Sequence, residues 1–271
     1  MKLTELGEFG LLAELERRGL VREIADDAAQ LRDGLVVTQD ALVEGVHFRA
    51  EMISWRDLGF RAAAVNLSDL AASGAMPECL VVTLALSGDT EVAEVLELYE
   101  GIVETGVQVI GGDTTAAPQL VLSLTAIGRS ERVPGRGGAR SGDRLVVTGP
   151  LGAAGAAFRE GRLVRPPLRL EEGRRLAADA HALLDISDGL AQDAGHISER
   201  SGCRVVIDLD RVPLAPGATV DDLGFGEDYE LLAAVAGPSE FTEIGVCEEG
   251  RGVELLLHGR SVELAGYRHF G

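Results

Sequence analysis

The sequence predicts a two-domain protein of mixed helices and strands, and three observations carry that expectation. Short apolar runs of strand length alternate with stretches of helical periodicity along the whole chain. Residues 132–143, rich in Gly, Arg and Pro, interrupt this alternation near the middle and read as a boundary, which divides the chain into 1–136 and 137–271. The length of 271 residues suits one large domain or two ordinary ones, and 46% hydrophobic residues are enough to fill real cores. With 35 glycines and only 4% aromatics, those cores must be aliphatic and closely packed.

Taken in order, residues 5–18 form an amphipathic helix with Phe9, Leu12 and Leu15 on its apolar face and Gly19 as its stop. Residues 24–29 form a turn holding Asp26 and Asp27, a pair that alone would pass for solvated loop. Residues 35–40 form a strand with Asp40 at its C-terminal end, where ligand sites gather in open α/β sheets. Glu44-Gly-Val-His47-Phe follows as a loop, where a lone His is ordinarily a surface residue. Residues 62–74 are small and apolar, which predicts a helix buried nearly all round and closed by Gly74. On it Asn66, Asp69 and Ser73 share one face. A carboxylate in a packed interior is too costly to leave unpaired, so Asp69 faces a cation, a set of donors or a polar cleft. On this stretch alone a hydrogen-bonded structural Asp is the simpler explanation.

Residues 80–86 read as a buried strand. Thr90 caps the next helix, with Val92, Val95, Leu96 and Tyr99 on its inner face and Gly106 at its end. Residues 107–110 are a strand leading into Gly111-Gly112-Asp113-Thr114-Thr115. Two glycines there would let the backbone approach a ligand, with the Asp on a metal and N–H groups on phosphate; an ordinary Gly-Gly-Asp turn explains the run equally well. Residues 120–127 are a further strand.

Past the boundary, residues 145–148 start the second domain as a strand, followed by Gly149-Pro-Leu-Gly152 and a small-residue helix. Residues 183–190 are a strand running into a helix that reaches about Ser201. Asp185, Ser187 and Asp188 fall at that junction, beside a helix N-terminus that favours anions. N-capping accounts for one of these polar groups and not for three. A strand over 203–208, a Pro-rich turn over 212–216, the acid cluster Gly226-Glu-Asp-Tyr-Glu-Leu231 entering an apolar strand, and short final strands complete the chain.

The net charge of −19 argues against duplex nucleic acid and anionic membranes as partners, and makes a polyphosphate hard to hold without bridging cations. Lys2 is the only lysine, which excludes a Walker A loop and a protein-kinase ATP site. Phosphate charge must then be met by arginine, among which Arg136 stands out, by backbone N–H groups or by metal. Cys79, Cys203 and Cys247 are few, odd in number and far apart, as expected of reduced core thiols. Acids occupy the N-terminus where a signal peptide needs an apolar run, and no apolar run approaches membrane-spanning length, so a cytoplasmic location is expected.

Asp27, Asp40, Asp69, Asp113, Asp185 and Asp188 all stand where apolar elements end or turn. Two carboxylates ~5 Å apart at an effective dielectric of ~20 repel by roughly 3 kcal/mol, so several in one cleft would need divalent cations. Magnesium accepts carboxylate oxygens, keeps waters and takes substrate phosphates as further ligands. No HExxH occurs and the histidines show no zinc spacing.

Eight motifs in register resemble one family. Asp26-Asp27, Thr38-Gln39-Asp40, Glu44-Gly-Val-His47-Phe, Val65-Asn-Leu-Ser-Asp69-Leu, Gly111-Gly112-Asp113-Thr-Thr, Asp185-Ile-Ser187-Asp188-Gly-Leu, Gly226-Glu227-Asp-Tyr-Glu-Leu and Gly266-Tyr267-Arg-His-Phe occur in the order found in the thiamine-monophosphate kinases, of the aminoimidazole ribonucleotide synthetase superfamily. The resemblance covers nearly the whole chain. It implies an α+β fold in two domains: an N-terminal mixed sheet that pairs with its copy into a dimer barrel, and a C-terminal α/β domain. It implies a homodimer with ATP sites across the interface, direct in-line transfer of the γ-phosphoryl of ATP to thiamine monophosphate, several Mg²⁺ ions, and no phosphoenzyme or general base.

By the same resemblance, Asp27, Thr38, Gln39, Asp40, Asp69, Asp113, Asp185 and Asp188 match metal positions. Tyr99, Gly112, Asp113, Arg136 and Ser187 match ATP contacts; His47, Glu227 and Tyr267 match thiamine-phosphate contacts. The chain departs from the family pattern at Ala25, Gln39 and Phe225, where Gly, Thr and Gly are usual, and is shorter around 160–170 and 215–225. Competing readings are another ATP-using member of the superfamily or a non-catalytic nucleotide or metal sensor. Selenophosphate synthetase would need an N-terminal Cys and Lys, and no Cys precedes Cys79.

Overall fold

Helices and strands alternate through two open sheets that share one central helix. The computed structural model describes residues 2–22, 26–264 and 266–267, and for Phe9 the backbone alone. Ile24, Ala25, the Phe9 side chain and residues 268–270 of the closing motif lie outside the described residues.

Helix α1 (Leu3–Arg17) is followed by β1 (Ala29–Gln30) and β2 (Leu35–Val43). Strand β2 runs three residues past Asp40, because Ala41-Leu-Val43 continues the in-and-out alternation and the antiparallel pairing, so Asp40 stands inside the strand rather than at its end. Helix α2 (Trp55–Ala72) begins seven residues before the small-residue stretch. Its start is set by Ser54, whose Oγ accepts the Asp57 N–H at 3.1 Å. Gly74, just past the C-cap Ser73, has φ +61. Strand β3 (Met76–Leu86) leads to α3 (Val92–Val103). The N-cap of α3 is Glu91, not Thr90: Glu91 and Glu94 exchange side-chain bonds with each other's backbone N–H. The inner face of α3 is therefore Val95, Leu98, Tyr99 and Ile102, while Val92 and Leu96 are exposed.

Strand β4 (Val109–Ala116) contains the whole Gly111 to Thr115 run, which is strand and not turn. Gly112 is required by the sheet: its φ is +151, and a Cβ there would stand 1.7 Å from the carbonyl oxygen of Val82 on β3. With β5 (Val121–Arg129) the first sheet has the order β1-β2-β5-β3-β4, parallel only between β3 and β4. Its ends are not joined, so it is an open sheet with β1 and β4 at the edges.

The second sheet is built from β6 (Arg144–Val147), β7 (Ala182–Asp185), β8 (Arg204–Asp208), β9 (Leu231–Val235), β10 (Thr242–Glu248), β11 (Gly252–Leu257) and β12 (Arg260–Val262). Helices α4 (Ala153–Arg159), α5 (Leu170–Asp179) and α6 (Leu190–Ser201) come between its strands in sequence. Its order is β12-β11-β8-β10-β6-β9-β7, with β8 and β11 the one parallel pair. Both sheets are mixed and mostly antiparallel, so α+β describes the second domain as well, in place of the α/β arrangement expected for it. Cys203 and Cys247 are buried in this second core, whereas Cys79 is only half-buried; all three are free thiols. Among the described residues no helix is long and apolar enough to cross a membrane.

Helix α2 is buried on two sides because it belongs to two cores. Leu58, Ala62, Ala63, Leu67 and Leu70 pack on the first sheet, while Ala71 and Ala72 pack against Leu176 and Ala177 of α5 and Leu183, Leu231 and Ala233 of the second sheet. Small residues are required where backbones come this close. A Cβ on Gly59 would stand 1.8 Å from the Leu98 carbonyl oxygen, and one on Gly101 would stand 1.8 Å from that of Arg56. Gly59→Ala therefore overpacks the α2–α3 contact and is expected to cost about 1–3 kcal/mol. The check is chemical denaturation, with a lowered midpoint at unchanged slope.

Candidate active site

Of the six acids predicted to converge, Asp27, Asp40, Asp69, Asp185 and Asp188 line one cavity at the seam between α2 and the two sheets, and Asp113 does not. Asp27 precedes β1, Thr38 and Asp40 lie on β2, Asp69 lies in the fifth turn of α2, and Asp185 ends β7. Thr38 Oγ1 donates to Asp69 Oδ2 at 2.5 Å and lies 3.3 Å from the Asp27 carbonyl oxygen. Asn66 Oδ1 accepts the Asp40 N–H at 2.9 Å, so α2 also pins the strand. Ser68 Oγ donates to Asp185 Oδ2 at 2.5 Å, reaching the second domain from the neighbouring position on the helix. Carboxylate oxygens of Asp27, Asp69 and Asp185 lie within 4.8 Å of one another. Arg136 is the cation of the group, with Nη2 2.5 Å and Nε 3.0 Å from Asp27 Oδ1.

Burial and crowding act on these groups in one direction. Burial is the largest cause for all of them, and it raises the Asp27, Asp40, Asp69 and Asp185 carboxyls above the usual carboxylate range. Asp69 goes well above it, because Asp40, Asp185 and Asp27 add repulsion that the Thr38 hydrogen bond only partly offsets. Asp185 is pushed up to about 8, with Asp27 repelling it while Ser68 and Arg136 pull the other way. A buried set of oxygen donors that resists ionisation in this way fits a hard divalent cation, which would hold the carboxylates in their charged form.

The junction after β7 is tied by a residue not foreseen in the sequence. Asp193, buried in the first turn of α6, accepts the N–H groups of Asp188 and Gly189, each at 3.0 Å, so neither Ser187 nor Asp188 caps that helix. Across from it, Gly226 has φ +84, and a Cβ there would stand 2.4 Å from the Ser187 carbonyl oxygen. That close approach lets the Glu227 N–H donate to the Ser187 carbonyl at 2.7 Å.

The acids of 227–230 separate by role. Glu230 is buried and held by Arg169, with Nη2–Oε1 2.6 Å and Nε–Oε2 2.7 Å. Asp228 accepts the Gly152 N–H at 2.8 Å at the start of α4, and burial raises it to about 6. Glu227 lines the cleft.

One cavity of about 620 Å³ joins these parts. Asp27, Thr38, Gln39, Asp40, Asp69, Asp185 and Asp188 line it together with Arg136, Ser187, His47, Glu227 and Tyr267. The Val43 N–H donates to His47 Nδ1 at 3.0 Å, which sets the ring at the rim, and the Tyr267 N–H donates to the Asp188 carbonyl at 2.9 Å. Gln39 lines the cavity, but its side chain bonds Ser123 and Thr125, because alternation along β2 turns it to the sheet face opposite Thr38 and Asp40. Its side chain therefore stands apart from the acid cluster. Tyr99, Gly112 and Asp113 are not brought in either. Gly112 and Asp113 lie on the exposed edge strand β4, and Tyr99 packs into the first core.

The two halves of the chain match two models of one family: AIR synthase related protein, N-terminal domain, over residues 25–130, and its C-terminal domain over residues 140–255. The thiamine-monophosphate kinase of Aquifex aeolicus is 33% identical over 311 aligned positions, covering 100% of both chains. That of Caulobacter vibrioides is 35% identical over 313 positions, covering 94% of this chain and 88% of its own. The solved structure of AaThiL complexed with AMPPCP and TMP has a TM-score of 0.89 at 32% identity and covers 99% of each chain.

The raised carboxyls carry a sign for stability. Asp185 titrates from an ordinary 3.8 when unfolded to about 8 when folded, so its favourable contribution is complete below the lower value and is lost as pH rises through the upper one. Without divalent cations the melting temperature is expected to fall between about pH 5 and 8, and Asp185→Asn to flatten that fall. Added Mg²⁺ should raise the melting temperature more at pH 8 than at pH 5. Thermal melts in chelator and in Mg²⁺ across this range check both statements.

Proposed function

The chain belongs to the AIR synthase related family and, within it, to the thiamine-monophosphate kinases, and we propose that it moves the γ-phosphoryl group of ATP onto the phosphate of thiamine monophosphate, giving thiamine diphosphate and ADP. The observation that carries this reading is a single cavity with an acid cluster at its core and His47, Glu227 and Tyr267 in the same lining. The acceptor is already an anionic phosphate oxygen, so no side chain has to remove a proton from it. That oxygen attacks the γ-phosphorus as the bond to the β–γ bridging oxygen breaks, and ADP leaves. Positioning and charge neutralisation then account for the rate.

Asp27, Asp40, Asp69 and Asp185, with Asp188, are the residues that would hold Mg²⁺, whose charge lets the two phosphate-bearing reactants approach in a protein of net charge −19. Thr38 orients Asp69, and Ser68 orients Asp185. Arg136 and Ser187 meet the nucleotide phosphates; His47, Glu227 and Tyr267 meet the thiamine end. Residues 1–136 supply most of the acids, and 137–271 complete the nucleotide and substrate ends. A small-molecule kinase of this kind belongs in the cytoplasm.

The working unit we propose is a homodimer. Strand β4 is exposed along nearly its whole length as an unpaired edge, with Ile110 64% exposed, and it carries Gly112 and Asp113 away from this chain's own cavity. A second copy laid against the open sheet would bring Asp113 to the partner's phosphates.

Two experiments test the proposal. The protein with ATP, Mg²⁺ and thiamine monophosphate should form thiamine diphosphate. Asp69→Asn should lose about a hundredfold or more of that turnover while its circular dichroism stays native. Nucleotide binding without product from the wild type would instead indicate a sensor. If the sites are shared, Asp69→Asn and Asp113→Asn are each inactive, and an exchanged equal mixture should regain up to about a quarter of wild-type activity, since half of its dimers carry one intact site. No regain after exchange refutes the shared site.

A further inference from the structure

Arg61, a residue that matches no motif of the site, is the most deeply buried charged side chain described in the molecule, at 0% exposure. It stands on α2 eight residues before Asp69, about 12 Å along the same helix axis. Burying a guanidinium costs several kcal/mol unless partners offset it, so its partners show what it is for. Nη2 lies 2.6 Å from Glu227 Oε1. Nη1 donates to the Val164 carbonyl at 3.0 Å. The guanidinium carbon lies 5.8 Å from the Tyr229 ring centroid. Nε and Nη2, both fully buried, have no hydrogen-bond partner among the described residues, so the contact of Nη2 with Glu227 is an ion pair. The group thus leaves two nitrogens without hydrogen bonds while its charge is paired with Glu227.

The backbone it holds is strained in a way that fits this purpose. Glu227 has φ +59 and Tyr229 has φ +52, a region in which non-glycine residues cost of order 1–3 kcal/mol and persist only when their surroundings over-determine them. Neighbouring Glu230 and Asp228 are occupied by Arg169 and by the start of α4, which leaves Glu227 as the acid of this loop that lines the cavity.

We infer that Arg61 is a positioning residue for the acceptor substrate: by fixing Glu227 from behind, it holds the carboxylate that meets the cationic ring at a set distance from the phosphate-handling acids on the same helix. Helix α2 then acts as a rigid spacer between the two ends of the acceptor, with Asp69 at one end and Arg61 near the other. This rests on the kinase reading above. A misplaced acceptor would leave water to take the γ-phosphoryl group, so the coupling of ADP to product is the diagnostic quantity.

The test compares wild type, Arg61→Met, Arg61→Lys, Glu227→Gln and the Arg61→Met/Glu227→Gln pair, each assayed for ADP and thiamine diphosphate. Arg61→Met should raise KM for thiamine monophosphate about tenfold or more, leave KM for ATP within about twofold, and release more ADP than product. Arg61→Lys should recover part of the loss, and the double variant should resemble Glu227→Gln alone. If Arg61→Met does not fold, the double variant, which removes the charge left unpaired, and Arg61→Lys carry the same comparison. Equal rises in both KM values, ADP and product still formed one to one, or additive effects in the double variant would each overturn the inference. Wild type that makes no thiamine diphosphate would refute the kinase reading itself, and this role with it.

Discussion

Carboxylates of Asp27, Asp69 and Asp185 within 4.8 Å of one another, with Asp40 adding its repulsion to Asp69, set the terms on which this protein folds. Each ionised pair at that separation repels by about 3 kcal/mol at an effective dielectric of ~20, against a total stability of about 5–15 kcal/mol for a typical domain. Such a group persists only if packing elsewhere holds it, if protons stay on, or if cations come in. The structure shows the packing and the raised carboxyls, with Arg136 as a cation supplied by the chain itself. Burial and mutual repulsion raise the carboxyls, Arg136 sits on Asp27, and the remaining donors form an oxygen-lined pocket.

Helix α2 is the element that holds the group together, and its composition follows from that task. It must touch the first sheet, α3 and the second domain at once, so it is made of Ala, Gly and Leu wherever backbones meet. Its polar positions each reach something outside the helix. Asn66 pins β2, Ser68 reaches β7, Asp69 joins the cluster and Arg61 crosses to the 227–229 loop. One rigid rod therefore spaces the parts of a site drawn from both halves of the chain.

The strands and helices that pack locally could be read from the sequence, because apolar periodicity is a local signal. Leu80 to Leu86, Leu120 to Ile127 and Leu183 to Asp185 lie in strands much as expected. The Gly111 to Thr115 run lies in a strand where a turn is expected, because a glycine needed for close sheet pairing at Val82 looks, in one dimension, like a turn glycine. The start of α2 at Ser54 and the capping of α3 by Glu91 were missed because polar residues there offered several equivalent caps. For the site, the aspartates of the sequence motifs marked the cavity, although Asp40 stands inside β2 and Asp113 lies outside the cavity. What no local pattern carries is which sheet face a side chain takes or which residue stands behind it, as Gln39 and Arg61 show.

The charge distribution bears on the proposal that the cluster recruits cations from solution. Most arginines of this acidic chain are already matched: Arg56 and Arg165 with Glu104, Arg169 with Glu230, Arg144 and Arg211 with Glu243. Arg136 is the one guanidinium lining the cavity among the described residues, and it is paired with Asp27. Two phosphate-bearing reactants meeting there would face a negative wall with at most one compensating charge. A polyphosphate that arrives already complexed with a divalent cation carries less negative charge and brings part of the ligand set with it. On the proposed reading the acids serve as the receptor for the metal–nucleotide complex, which would let a protein with a single lysine handle phosphoryl groups.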